Sequence, residues 1–243
     1  AQVSVRDGES FIQAYNFIEK KFLMFPVAGY FSDPMAITLA NDGAQLFVSQ
    51  FQTKQIRKFK FSDGSIEDDG NHNAAQSRYY VLGITTLQNG DIAIVTRSKA
   101  NENSCDRISN PYGNLEIRDV TGKLKQEQKI NSLPESVTEI TSGQYKGCLA
   151  ITHKEPLSCI CIYNLESKNE VMKISNKNGI KGPRDIIWVE KYQSLLFTDV
   201  ILNCLVKIHI VDYEIPDITI IHTDKNMKVI HHLCCDTKEE NSF

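Results

Sequence analysis

A chain of 243 residues, 41% hydrophobic and 23% charged, has the apolar content for a core but a net charge of only −3. That balance excludes a global attraction to DNA or to an anionic membrane and leaves any polyanion binding to a local patch. The seven cysteines are odd in number and irregularly spaced, so they read as reduced thiols. With no recognisable leader and no bilayer-length apolar run, they point to a cytoplasmic setting.

In chain order, residues 1–30 are the least patterned. Phe11, Ile12, Tyr15, Phe17, Ile18, Phe22 and Leu23 recur at spacings that suit an amphipathic helix, yet Phe17 to Phe25 reads equally as a strand, above all Lys20 to Phe25. The strand is the preferred expectation. From Phe31 onward the chain falls into short runs rich in β-branched and aromatic residues, none long enough for a good helix. Pro34-Met35-Ala36-Ile37-Thr38 and Leu46-Phe47-Val48-Ser49 are separated by Asn41-Asp42-Gly43, whose residues supply the positive φ of a tight hairpin. Gln55 to Phe61 forms a third strand. The polar stretch Glu67 to Gln76 then reads as a solvated loop, and its acidic start lacks the alternating oxygen ligands of a calcium loop.

This pattern returns along the chain. The first strands start at Pro34, Val81, Pro134 and Pro183, and a fifth begins at Val229, a period of about 50 residues. The second strands each end on a hydroxyl, at Ser49, Thr96, Thr152 and Thr198. Third strands follow at Gln55 to Phe61, Asn114 to Val120, Ser158 to Leu165 and Leu205 to Val211. Candidate outer strands are Ser77 to Val81, Lys125 to Ile130, Glu170 to Ser175 and Asp217 to His222. The expected fold is all-β: a β-propeller of four-stranded antiparallel blades, four repeats complete and a fifth begun, part of a six-bladed ring. A β-sandwich with accidental spacing is the alternative. Residues 31–243 form the propeller repeats and 1–30 an N-terminal segment that supplies a strand of an incomplete blade.

In a four-stranded meander the loop joining strands two and three lies on the same side as the start of strand one. One face of the disc therefore gathers Lys54, Arg97, Lys99, Arg107, Tyr112, His153, Lys154, Lys181, Arg184 and Asp199, and it is the expected binding face. The largest loop there, between Thr96 and Asn114, is polar and of mixed charge, and loops that long on a compact scaffold carry function or lack order.

Catalytic patterns are missing: the chain has no nucleophile elbow, zinc-protease helix, phosphate-cradling glycine loop or Cys-x-x-Cys. His231-His232 and Cys234-Cys235 are adjacent pairs, so along a strand they point to opposite sides. Cys159 and Cys161 share one side of a strand without further ligands nearby. No metal or cofactor is expected.

The repeats resemble the NHL-repeat family. The resemblance lies in Pro183-Arg184-Asp185-Ile186, Leu195-Leu196-Phe197-Thr198-Asp199 and Leu205-Val206-Lys207-Ile208, and in their counterparts Pro34 to Ile37, Leu46 to Ser49 and Gln55 to Phe59. The second repeat departs from it with Val81 in place of Pro, and Gln50, Arg97 and His153 stand where the fourth repeat has Asp199. The resemblance implies a recognition module of a tripartite-motif-like protein that binds protein or single-stranded RNA, with ubiquitin-ligase activity, where present, in other domains. At the level of fold alone, gluconolactonase- and paraoxonase-like metal-dependent hydrolases are the alternative, with Glu135, Asp185 and Asp199 as the carboxylates on offer.

Overall fold

The computed structural model describes residues 2–6, 9–16, 21–27, 34–62, 65–68, 75–97, 112–154, 157–210 and 217–223. Three strands, β1 (Gln2–Arg6), β2 (Glu9–Asn16) and β3 (Lys21–Val27), form an antiparallel sheet. The residues whose spacing also suited a helix lie largely in β2 and β3, paired from Ser10↔Val27 to Asn16↔Lys21.

Four four-stranded antiparallel sheets follow, the blades of a β-propeller. Blade 1 holds β4 (Pro34–Leu39), β5 (Gln45–Gln50), β6 (Gln55–Ser62) and β7 (Ser65–Asp68), with β8 (Ala75–Gln76) also against β6. Blade 2 holds β9 (Tyr80–Thr86), β10 (Ile92–Arg97), β11 (Gly113–Arg118) and β12 (Leu124–Ile130). Blade 3 holds β13 (Pro134–Glu139), β14 (Cys148–His153), β15 (Cys159–Asn164) and β16 (Asn169–Ile174). Blade 4 holds β17 (Pro183–Val189), β18 (Ser194–Asp199), β19 (Cys204–His209) and β20 (Asp217–Thr223). The first strands stand side by side in chain order, β1 beside β4, then β9, β13 and β17.

One expectation needs correction. The outer strand of blade 1 is β7, not Ser77 to Val81. Tyr80 already opens β9, and Glu67 and Asp68, read from their charge as loop, pair with Lys60 and Phe59. An outermost strand has one side in water, so polarity there does not mark a loop. The expected fifth start at Val229 and the His231 to Cys235 doublets lie outside the described residues.

The second strands of blades 2 and 3 are apolar on both sides because each is sandwiched between neighbouring blades. Ile92 and Ile94 pack toward blade 1 with Phe47 and Ile56, whereas Ala93 and Val95 pack toward blade 3 with Leu149 and Ile151. Blade 3 repeats the alternation: Cys148 and Ala150 face blade 4, with Trp188, Leu195 and Phe197. A strand buried on both sides loses the polar/apolar alternation of a half-exposed one, which accounts for the short unbroken apolar runs.

In blades 1, 3 and 4 the hydroxyl one residue before the end of the second strand has a specific task. The first strands of blades 1, 3 and 4 are bulged two or three residues in, and a bulge takes an amide out of the ladder. Ser49 Oγ accepts the Ala36 N–H at 3.0 Å, Thr152 Oγ1 that of Ser136 at 3.0 Å, and Thr198 Oγ1 that of Asp185 at 3.1 Å. Blades are also tied to each other. Thr152 donates to the Arg184 carbonyl at 2.5 Å, Ser136 to Asp185 Oδ1 at 2.7 Å, and the Trp188 N–H to Thr138 Oγ1 at 3.2 Å.

Blades 2 and 3 approach so closely at Gly83 that a Cβ there would stand 2.7 Å from Ser136 Cα and 2.9 Å from Val95 Cγ2. Backbone cannot swing aside as a side chain can. Gly83→Ala is therefore expected to cost about 1–3 kcal/mol, the usual range for overpacking, read as a lowered urea midpoint. An unchanged midpoint would show that the two blades can part there freely.

Candidate functional site

The strand registers place Gln50 beside Pro34, Arg97 beside Tyr80, His153 beside Pro134 and Asp199 beside Pro183. Four equivalent positions, each at the end of a second strand, thus carry four different polar side chains on one face of the disc. Their surroundings show what that face is built to do.

Asp199 is 1% exposed and holds two loops at once. Its Oδ2 accepts the Lys181 N–H at 2.8 Å, and its Oδ1 accepts those of Gly182, Ile201 and Leu202 at 3.0, 3.1 and 3.0 Å. His153, fully buried, does the corresponding work in blade 3, where its Nδ1 lies 2.6 Å from Ser132 Oγ. Ser132 sits two residues before Pro134, just as Lys181 sits two before Pro183. Burial, with a smaller contribution from the charge of Lys173, pulls the His153 pKa down to about 4, so the ring is neutral at pH 7. Gln50 Oε1 accepts from Thr53 Oγ1 at 3.0 Å. Arg97 reaches across to blade 3 and pairs with Glu135 at 2.6 Å.

In blades 1, 3 and 4 the residue that leads into the third strand shares one further feature. Lys54, Ser158 and Asn203, each just before its third strand, take positive φ values of 58°, 39° and 50°. The left-handed residue turns the chain tightly into β6, β15 and β19, and it costs a non-glycine residue steric energy. The β5–β6 and β18–β19 loops are short and pinned by side chains.

Of the ten residues expected on this face, Lys99 and Arg107 lie outside the described residues. Lys154 and Lys181 are exposed and Arg184 half-exposed, so these three are available to a ligand. Lys54 is half-exposed; its Nζ donates to the Arg78 carbonyl at 3.1 Å and stands 5.1 Å above the Tyr80 ring. Tyr112 lies under the Lys129 ammonium at 4.4 Å. Arg97 is engaged with Glu135, and His153 and Asp199 stand inside the face rather than on it, shaping the loops that others present.

Sequence reasoning missed several members. Phe51 stacks on Tyr80 at 4.5 Å between centroids, and Lys54 completes that group. Arg78 is exposed beside it. Leu157 and Ile201, at loop tips on the same face, are 38% and 55% exposed. The signal was present in Phe51 and Ile201, apolar residues inside turns that a hairpin would otherwise fill with polar ones.

The three carboxylates that the hydrolase alternative offers all have partners within the fold. Glu135 pairs with Arg97, Asp185 accepts from Ser136 and from the Ile186 N–H, and Asp199 holds four amides. Among the described residues no three His, Cys, Asp or Glu side chains converge as a metal site. Cys159 and Cys161 lie 3.6 Å apart, sulfur to sulfur, and both are buried in blade 3. No helix among the described residues is long and apolar enough to cross a membrane.

No protein-family model matches the chain, and no curated protein matches it in sequence. Solved structures match the fold. A protein of unknown function from Bacteroides caccae aligns over 88% of this chain and 68% of its own, with a TM-score of 0.55 and 10% identity. A chain of the nidogen/laminin complex aligns over 84% and 72%, with a TM-score of 0.59 and 12% identity. A candidate 6-phosphogluconolactonase from Bacteroides uniformis aligns over 91% and 70%, with a TM-score of 0.54 and 14% identity. At such identities the likeness is one of fold.

Proposed function

We propose that this chain is a non-enzymatic recognition module that holds a protein partner on the face formed by the loops between second and third strands. The observation that carries the reading is the commitment of Glu135, Asp185 and Asp199. Of these three, Glu135 and Asp185 join two blades and Asp199 fixes two loops, which are thereby pre-shaped for binding. The resemblance of the repeats to NHL repeats supports the same reading, and on it we propose that the chain serves in a larger, tripartite-motif-like cytoplasmic protein. The lactonase-like fold neighbour supports the alternative of a metal-dependent hydrolase.

Two measurements separate these readings. Millimolar Ca²⁺, Mg²⁺ or Zn²⁺ is expected to leave the melting temperature unchanged, and lactone and aryl-ester substrates to show no turnover above buffer. A metal-induced rise together with turnover, both abolished by Asp185→Asn, would establish the hydrolase instead. A photo-crosslinker at Gln52, an exposed residue of the β5–β6 loop, is expected to capture one protein in extracts of the source cells. The same group at Lys168, on the opposite face, should capture none; capture from Lys168 alone would reject this face as the binding surface.

A further inference from the structure

Although the chain is net negative, its exposed charge is sorted by face. On the loop face the exposed or half-exposed cations include Lys54, Arg78, Lys129, Lys154, Lys181 and Arg184. The carboxylates there among the described residues are Glu135, Asp185 and Asp199, and all three are turned to partners within the fold. On the opposite face Asp42, Asp119, Glu166 and Glu190 alternate with Lys123, Lys146 and Lys168. Among the described residues the loop face is therefore cationic while the molecule as a whole is not, and such a face steers and selects an anionic partner.

We propose, on the basis of the recognition reading above, that the partner presents an acidic segment interleaved with aliphatic side chains. The acidic part answers the cations. The aliphatic part answers Leu157 and Ile201, which stand exposed among them at the tips of two neighbouring loops. A single-stranded nucleic acid would instead call for open aromatic platforms on which bases stack. Two of the described rings on this face have neighbours of their own: Tyr80 has Phe51 and Lys54, and Tyr112 has Lys129. Among the described residues, two exposed aliphatic groups beside a single half-exposed ring without a ring partner, Tyr79, favour a peptide over RNA.

The test uses a fluorescein-labelled 18-residue peptide of repeated Glu-Glu-Leu, its Gln-Gln-Leu counterpart and an 18-nucleotide oligouridine, each titrated with the full chain at two salt concentrations. The acidic peptide is expected to bind at least tenfold tighter than the other two and to weaken as salt rises. The variant Lys154→Glu/Lys181→Glu, which alters two exposed side chains, should lose at least tenfold. Lys123→Glu/Lys168→Glu, with the same change in net charge on the opposite face, should bind as the wild type does. Equal or tighter binding of oligouridine overturns the assignment, as does equal loss in both variants. Absence of peptide binding with cross-linking from Gln52 intact overturns the acidic assignment alone; absence of both overturns the recognition reading as well.

Discussion

Asp199→Ala is expected to cost about 3–5 kcal/mol, a large part of the stability of an ordinary domain. The carboxylate accepts from four backbone amides of two loops and is 1% exposed, so alanine removes every acceptor and leaves no route for water to replace them. An unmade bond to a buried donor costs more than a made one contributes, because the desolvation of the donor is then unrequited. Asp199→Asn separates geometry from charge. Its oxygen can still accept from Gly182, Ile201 and Leu202, but its amide then meets the Lys181 N–H head-on, and a smaller loss of about 1–2 kcal/mol follows. Urea unfolding followed by Trp188 fluorescence gives both values. An alanine variant within 1 kcal/mol of the wild type would mean that the loops hold their shape unaided.

Asp199 also shows why the fold was legible in the sequence while the site was legible only in part. The period was readable because the second strands are short apolar runs that each carry a hydroxyl one residue before their end. The reason for the hydroxyl was not readable, since the bulge whose amide it satisfies leaves no mark in the residues around Ala36 or Ser136. The outer strand of blade 1 was misplaced because Glu67 and Asp68 carry charge on a strand that has no outer neighbour. For the site, the parity of strands was enough to say which loops share a face. It could not say which polar residues turn inward. His153 and Asp199 looked like ligands for a partner because they are polar residues in loops, and only the amides and hydroxyl that they meet reveal them as loop staples. Phe51 and Ile201 went unremarked for the opposite reason, since apolar residues are ordinarily assigned to the core.

His153 gives the second large effect, and its sign follows from the direction of the shift. Its pKa falls from the ordinary 6.5 to about 4 in the folded protein, chiefly through burial. The unfolded chain therefore takes up a proton near pH 6.5 that the folded chain refuses until about pH 4. Stability is full above pH 6.5 and declines as pH falls through that window, by about 3 kcal/mol in all. The geometry explains the refusal. With the proton on Nδ1 facing Ser132 Oγ, Nε2 is a bare lone pair, buried and without a hydrogen-bond partner among the described residues. Protonation would bury an N–H there instead, and a positive charge with it. Glu139, whose carboxyl burial pushes upward, acts in the opposite sense, favouring the folded state as pH falls, so the wild-type curve alone mixes the two. His153→Gln isolates the histidine, since blade 1 already carries Gln50 at the equivalent position. The difference in unfolding free energy between wild type and variant should be constant above pH 6.5 and shift steadily toward the variant from there to pH 4. A difference that stays flat across the window would mean that the ring meets water or an acceptor in solution and is not sealed beneath the loops of blade 3.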